Sequence, residues 1–476
     1  MNKKRIVLIF TVLTSLLISF GFIPFNIKEV KKTALNKNSP NLIIILADDL
    51  GYADVGFNGC KDIPTPNIDA IADNGVKFTN GYVTFPVCGP SRAGLLTGRY
   101  QDRFGFTTNP TIDPENEKAG LPLEEEMISE ALQKANYNSA IIGKWHMGTH
   151  PIFHPLKRGW DYFFGFLSGG HNYFPEKLTL NDYSEVKWAY GWYSTRIMEN
   201  YNRIDINNYL TDELSDAAVR YIEKQSKLDQ QFMVYLSYNA PHGPLQATEK
   251  YLDRFPEINN EKRKTYAAMV SAMDDGIGRV LNTLKERNME ENTIVVFLSD
   301  NGGPIHKNAS KNEPLRGKKG DLYEGGVRVP FAMQWKGNIK KGMIYNNPIS
   351  SMDIMATICD LANVKTKNKL DGVNLIPFLK KEKKGVPHDV LFWRKWEQNA
   401  MAIRKGNFKL VSNRQMQTNF PKLYDLSDDI SEIKDIKESN IMDADVLLND
   451  WKEWNKENKD RYFPTLGNDK WWERNK

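Results

Sequence analysis

The sequence predicts an α/β fold: a mostly parallel sheet covered by helices, followed by a smaller antiparallel sheet. Three observations predict it. Apolar runs are unbroken rather than alternating, helical patterns lie between them, and the texture changes to short strand-like pieces towards the C-terminus. Successive side chains on a strand point to opposite faces, so an unbroken apolar run suits a parallel sheet buried on both sides. Strands that alternate with helices are the pattern of a doubly wound domain.

Taken in order, Lys3, Lys4 and Arg5 precede an apolar run from Ile6 to Phe20 that continues loosely to Phe25. A basic start followed by such a run reads as an export signal. The run is also just long enough to span a bilayer as a retained anchor. No small-x-small cleavage site stands out, Ser19 and Gly21 being the nearest, so a signal peptide (1–25) and an anchor both stand. Either makes the chain an exported one, periplasmic or extracellular, and the Lys/Asn-rich composition points to a bacterial source. Residues 26–40 form a polar linker.

The first strand, Asn41–Ala47, ends in Asp48-Asp49. Three later runs end in the same manner. Residues 139–143 lead to Lys144-Trp145-His146, Phe232–Ser237 to Pro241-His242, and 293–298 to Asp300-Asn301. Helical patterns occupy 123–135, 208–224 and 262–287. In doubly wound sheets ligands bind beyond the carboxyl ends of the strands, where all four runs place charged or imidazole groups. A domain over 41–345 is therefore expected, with an α+β subdomain over 346–476. The latter holds a helix at 351–362, a turn at Asp371-Gly372 and strands at 390–393, 400–404, 408–411 and 423–426. Its tail carries Trp451, Trp454, Trp471 and Trp472, which predict a docked helix and segment.

Bulk properties exclude more than they identify. With 476 residues, 41% of them hydrophobic, the chain can bury a large core. The formal net charge is +5, from 64 basic and 59 acidic residues, too small a surplus to predict nucleic acid as a partner. Cys60, Cys88 and Cys359 are the only cysteines. An odd number in an exported chain is not a disulfide framework, and the absence of CxxC or Cys/His spacing argues against zinc.

The acidic pairs carry the first chemistry. Asp48, Asp49, Asp300 and Asn301 supply three carboxylates and an amide, hard oxygen donors that suit Ca²⁺ or Mg²⁺. A single Asp-Asp pair reads as a cap or turn; two at equivalent sheet edges read as one ion site. Cys88-Gly89-Pro90-Ser91-Arg92 opens a helical pattern, which puts Cys88 at a helix N-terminus where an anion is stabilised. The residues alone leave a reactive thiolate and a buried thiol both open.

The run Cys88-x-Pro90-Ser91-Arg92, continuing into Leu96-Thr97-Gly98-Arg99, resembles the signature of the type I sulfatases of the alkaline phosphatase-like superfamily. The resemblance extends over nearly the whole chain. It includes Gly143-Lys144-Trp145-His146-Met147-Gly148, Pro241-His242-Gly243-Pro244, Ser299-Asp300-Asn301-Gly302-Gly303 and Leu315-Arg316-Gly317-Lys318-Lys319-Gly320.

It implies an arylsulfatase-like sulfuric ester hydrolase built on a large mixed sheet. By this likeness Cys88 would be oxidised to formylglycine (3-oxoalanine) by a formylglycine-generating enzyme or an equivalent maturase. The aldehyde hydrate would be the nucleophile. Asp48, Asp49, Asp300 and Asn301, with the converted Cys88, would hold one Ca²⁺. Arg92 would anchor the nucleophile, Lys144 would hold it and the sulfate, and His146 would deprotonate it. His242 would contact the ester oxygen and Lys319 would bind sulfate. Lys318 stands where the family has glycine, which leaves two candidates for the inward-pointing lysine.

A sulfated poly- or oligosaccharide is the substrate class that the exported location and the loops suggest. Ser168, His171 and His306 follow Gly-rich turns and read either as substrate contacts or as ordinary loop residues. The aromatic cluster at 188–193 reads as a sugar-stacking insertion or as packing. Two rivals remain: a phosphate or phosphonate ester hydrolase, disfavoured by Cys88 in its full motif, and a silent glycan-binding protein, disfavoured by the intact motifs.

Overall fold

Seven consecutive buried residues, NLIIILA, form strand β1 (Asn41–Ala47). Leu42, Ile44 and Leu46 enter one hydrophobic core, and Ile43, Ile45 and Ala47 enter another. Burying each such side chain contributes about 1.5–3 kcal/mol, so the run is continuous because both faces of the strand are used. The computed structural model describes residues 39–412, 421–464 and 473. The expected signal or anchor, nearly all of the linker, Trp471 and Trp472 lie outside the described residues. Among these residues no helix is long and apolar enough to cross a membrane.

The remaining strands are β2 (Val76–Phe78), β3 (Gly81–Tyr82), β4 (Asn138–Lys144), β5 (Tyr162–Phe166), β6 (Ile197–Glu199), β7 (Asn202–Ile204), β8 (Phe232–Ser237), β9 (Thr293–Ser299), β10 (Phe331–Gln334), β11 (Met343–Tyr345), β12 (Ile349–Ser350), β13 (Val390–Lys395), β14 (Ala400–Lys405), β15 (Phe408–Ser412) and β16 (Lys422–Asp425). Ten of them form one sheet in the order β11-β2-β10-β9-β1-β8-β4-β5-β6-β7. The central five, β9-β1-β8-β4-β5, are parallel, and antiparallel strands flank them. This is the mixed, mostly parallel sheet that was expected.

Helices α1 (Pro66–Asp73), α2 (Cys88–Thr97), α3 (Ile128–Gln133), α4 (Leu210–Gln225), α5 (Glu261–Glu286), α6 (Asp353–Leu361) and α7 (Ile441–Asn455) complete the layers. Helices α1, α4 and α5 pack into the core that contains Ile43, whereas α2, α3 and α6 pack into the core that contains Ile44. Helix α3 is much shorter than the pattern over 123–135 predicts. The chain ahead of it forms a turn instead, in which Glu125 N donates to the Pro122 carbonyl and the Arg158 guanidinium donates to the carbonyls of Leu121, Pro122 and Glu125.

Past residue 345 the chain still packs on the large domain: β12 pairs with β3 in a separate two-stranded sheet, and Ile354, Met355, Ile358, Leu375 and Leu379 join the first core. The small antiparallel sheet, β13-β14-β15-β16, then begins at Val390. Helix α7 covers it, with Ala444 and Leu447 against Leu410 and Leu423. Trp454 stacks on Phe392 with ring centroids 4.9 Å apart.

Between the two sheets lies a buried ionic cluster. Lys409 Nζ is 2.8 Å from Glu324 and 3.0 Å from Glu432, and all three side chains are inaccessible or nearly so. Removing this cation leaves buried Glu432 without an ion-pair partner among the described residues, whereas Glu324 keeps Arg328 at 3.3 Å, so Lys409→Met is expected to cost about 3–5 kcal/mol in urea unfolding. His388 Nε2 lies 2.8 Å from Asp353. Burial opposes the charged imidazole, but Asp353 outweighs it and raises its pKa. The resulting stabilisation is full below the unfolded-state value of about 6.5 and is lost as pH rises through the higher folded value. Melting temperature should fall as pH rises above about 6.5 in the wild type, and that part of the fall should be absent in His388→Gln.

Candidate active site

The parallel register of β1 with β9 carries Ala47 opposite Ser299, so the acidic pairs that follow, Asp48-Asp49 and Asp300-Asn301, emerge side by side. Lys144 ends β4, His146 comes two residues later, and His242 follows β8. Gly143 has φ of 108°, and a Cβ there would meet the Ser237 carbonyl at 1.9 Å. Only glycine lets β4 run this close to β8 while it turns Lys144 inward. Cys88 and Arg92 arrive on the first turns of α2, and all three cysteines are free.

These residues meet in one buried cluster. Lys144 Nζ is 2.6 Å from Asp48, and Asp48 Oδ1 is 3.5 Å from Cys88 Sγ. Lys319 Nζ is 2.7 Å from Asp49 and 3.2 Å from Cys88 Sγ. Arg92 binds Asp300 through Nη2 at 2.8 Å and Nε at 2.9 Å, and donates to the Ser237 hydroxyl. That hydroxyl donates in turn to the Lys144 carbonyl at 2.7 Å. Lys318 is exposed, so Lys319 is the inward lysine.

The histidines differ. Both ring nitrogens of His146 are buried without a hydrogen-bond partner among the described residues. Burial, together with Lys144 and Arg92 nearby, holds its pKa well below the usual value and keeps it neutral. His242 Nδ1 lies 2.7 Å from the Gly243 carbonyl, and its Nε2 lies 3.6 Å from Asp49. A ring nitrogen against a carbonyl carries the hydrogen, which leaves Nε2 with the lone pair in the neutral ring. Asp49 and His146 both have left-handed backbone, with φ of 66° and 60°. Such conformations cost about 1–3 kcal/mol each and concentrate at functional sites.

The donor set fits a hard cation. Ligand atoms of Asp48, Asp49, Asp300 and Cys88 lie within 4.8 Å of one another. Asn301 Nδ2 donates to Asp49 at 2.7 Å, while its Oδ1 is buried without a partner among the described residues. Burial and the neighbouring Asp48 push Asp300 up to about 6. A divalent ion among these oxygens would relieve that repulsion.

A cleft of about 650 Å³ opens onto the cluster and is lined by Asp49, His242 and Lys319. His306, expected as a substrate contact, lines it too. Ser168 and His171 do not. Ser168 Oγ donates to the Gly170 carbonyl at 2.8 Å, and His171 is fully buried, its ring 4.6 Å from Phe166 and its nitrogens beside Asn172 and Thr195. A Gly-rich turn does not reveal which of its side chains face inward. Within the aromatic cluster, Trp192 is core, whereas Tyr190 and Tyr193 line the cleft. Lys307, Asn308 and Lys318 also line it, and nothing in the sequence marked the first two.

Residues 40–364 match the family model described as Sulfatase, and residues 318–457 match one described as N-sulphoglucosamine sulphohydrolase, C-terminal. The chain is 33% identical over 410 residues to the uncharacterized sulfatase YdeN of Escherichia coli (strain K12), covering 75% of this chain and 69% of that protein. It is 32% identical over 382 residues to N-acetylgalactosamine-6-sulfatase of Mus musculus, covering 78% and 71%. Among solved structures, Ps i-CgsB in complex with k-i-k-neocarrahexaose superposes with a TM-score of 0.83 at 39% identity, covering 89% of this chain and 94% of that one. The chain belongs to the sulfatase family, hydrolases of sulfate esters within the alkaline phosphatase-like superfamily.

Gly169 packs against the active-site imidazole, and a Cβ there would come within 2.6 Å of His146 Nε2. Gly169→Ala should therefore displace His146 and lower kcat about 10²-fold without loss of secondary structure, a change read by steady-state kinetics beside circular dichroism.

Proposed function

We propose that this sulfatase removes sulfate from a sulfated carbohydrate, with Cys88 converted to formylglycine and one calcium ion held by Asp48, Asp49, Asp300, Asn301 and residue 88. One observation carries the reading. The Cys88 side chain sits among oxygen donors and within 3.2 Å of an ammonium group, and its neighbours Val87, Asp49 and Lys319 line the cleft. The converted side chain, hydrated, supplies the attacking hydroxyl, and calcium, when bound, lowers the charge that the nucleophile and the ester oxygens must share.

The chain's own groups supply the rest. Lys144 and Lys319 approach residue 88 from Asp48 and Asp49, which places two positive charges where the sulfate oxygens bind. Arg92, held by Asp300 and Ser237, fixes the ligand edge on which residue 88 depends. Lys319 stays an ammonium despite burial because Asp49 is beside it. His242 presents Nε2 near the same carboxylate. Lys319 is therefore the group that delivers the proton the departing alcohol oxygen requires, and His242, with its Nε2 lone pair, accepts a hydrogen bond beside it. His146, neutral and with both nitrogens free, takes the proton whose removal lets sulfate leave.

The carbohydrate substrate is supported by Ps i-CgsB, which holds a neocarrahexaose, and by relatives named for N-acetylgalactosamine 6-sulfate. The basic and apolar N-terminus supports action outside the cytoplasm. A formylglycine-generating enzyme or equivalent maturase is the partner that the reading requires. All of these catalytic and metal-binding residues fall within 41–345, which we assign as the catalytic domain, with 346–476 as its C-terminal subdomain.

Peptide mass spectrometry across Cys88, on protein co-produced with a formylglycine-generating enzyme, should show a loss of about 18 Da, the change from CH₂SH to CHO. Cys88→Ala should then lower arylsulfate hydrolysis at least about 10³-fold. Full activity with an unmodified thiol would sink this reading, and faster cleavage of a phosphate than of a sulfate ester would replace it. Calcium at about 100 times its Kd should stabilise the wild type by about 2.7 kcal/mol in thermal unfolding, and Asp300→Asn should abolish that gain.

A further inference from the structure

We infer that the rim of the cleft is a second anion subsite, in which Lys307 and Lys318 receive another sulfate group of the same glycan while Tyr190 stacks on a sugar ring. This makes the enzyme selective for multiply sulfated substrates, and it rests on the sulfatase reading above.

The first observation is charge in excess of what one sulfate needs. The buried pocket already offers Lys144 and Lys319, each paired with its own carboxylate. Lys307 and Lys318 are exposed on the lining of the same cleft, and among the described residues neither ammonium has a carboxylate partner.

The second observation is that the loop carrying Lys307 is fixed in place. Ile305 and Ala309 have φ of 55° and 63°, and Ile305 is β-branched, for which left-handed backbone is a true outlier. The loop is tied down on several sides. Asn308 Nδ2 donates to the Asp49 carbonyl at 3.2 Å, and Ser310 Oγ accepts from Ile305 N at 2.9 Å. Lys262 Nζ and Arg263 Nη1 donate to the carbonyls of His306 and Ala309 at 3.1 and 3.0 Å. A lysine on so constrained a backbone gives up less freedom on binding than one on a mobile surface loop.

The third observation is the aromatic wall. Tyr190 is 59% exposed although it lines the cleft, and its backbone is left-handed, with φ of 64°. Its ring leans on Trp192 and Tyr193, with centroids 5.4 and 5.8 Å away. Trp192 is buried, and Tyr193 packs on Gly170, where a Cβ would come within 2.4 Å of the phenol. Tyr190 is therefore an exposed ring on a rigid base, the arrangement that presents a flat apolar face with a polar tip to a ligand.

The test uses matured full-length enzyme and two carrageenan oligosaccharide preparations, one bearing two sulfates per disaccharide and the other one. The wild type should show a higher kcat/KM for the doubly sulfated material. That preference should fall as ionic strength rises from about 0.05 to 0.5 M, because exposed charges are screened. The double variant K307S/K318G should lower the ratio of the two kcat/KM values at least about tenfold. Tyr190→Ala should lower both values while it leaves their ratio in place. Lys341→Ser, an exposed lysine away from the cleft, should behave as wild type. A ratio unmoved in K307S/K318G, or a wild type that cleaves 4-methylumbelliferyl sulfate and both oligosaccharides without preference, overturns the subsite alone. A matured wild type that cleaves none of the three overturns the sulfatase reading and the subsite with it.

Discussion

Three carboxylates crowded at one sheet edge, each matched to its own cation, are the constraint on which the rest of the molecule depends. Arg92 answers Asp300 at 2.8 Å, Lys144 answers Asp48 at 2.6 Å, and Lys319 answers Asp49 at 2.7 Å. Taking a charge out of water carries a penalty of several kcal/mol per ion even after relaxation. Six such groups in one place are tolerable only because two large apolar cores on either side of the sheet offset them. The arrangement also explains the topology. Adjacent parallel strands bring the acids, whereas the cations come from a third strand, a helix and a distant loop.

That loop ties the small sheet to the chemistry. Lys395, at the end of β13, donates to the carbonyl of Gly320, next to Lys319, and Gly320 N donates to Pro86 just ahead of Cys88. Trp393 Nε1 donates to Val83 on the same approach to α2. The antiparallel sheet contributes no group to the cluster, yet it fixes the backbone on which Lys319 and Cys88 are mounted.

Much of the fold was legible because it follows from apolar periodicity. The four long central strands, helices α4 and α5, and the small sheet were each marked by runs that only one architecture buries. The strands of two to four residues at the sheet edges were not, since so short a segment carries no period, and the helix over 123–135 was overstated because its first residues form a turn held by Arg158. In the site, the acid pairs could be read from their residue types and spacing alone, whereas the roles of Cys88, Lys144, His146 and His242 needed the family resemblance. What could not be read was direction. Lys318 and Lys319 are chemically alike in sequence, His171 and His306 both follow glycine-rich turns, and Tyr190 reaches the cleft through a left-handed backbone that its residue type does not announce.

Strand β1 pairs with residues near 233 and 293, roughly two hundred positions further along the chain. The pocket around Cys88, only 2% exposed once closed, therefore forms late. Non-local parallel pairing is slow, and while the chain is being made the Cys88 segment exists for some time with no β8 or β9 to cover it. On the conversion of Cys88 proposed above, the modifying enzyme has to work within that interval. The yield of active protein would then be set by a race between modification and closure, and sequence changes that hasten folding would lower it whether or not they change stability.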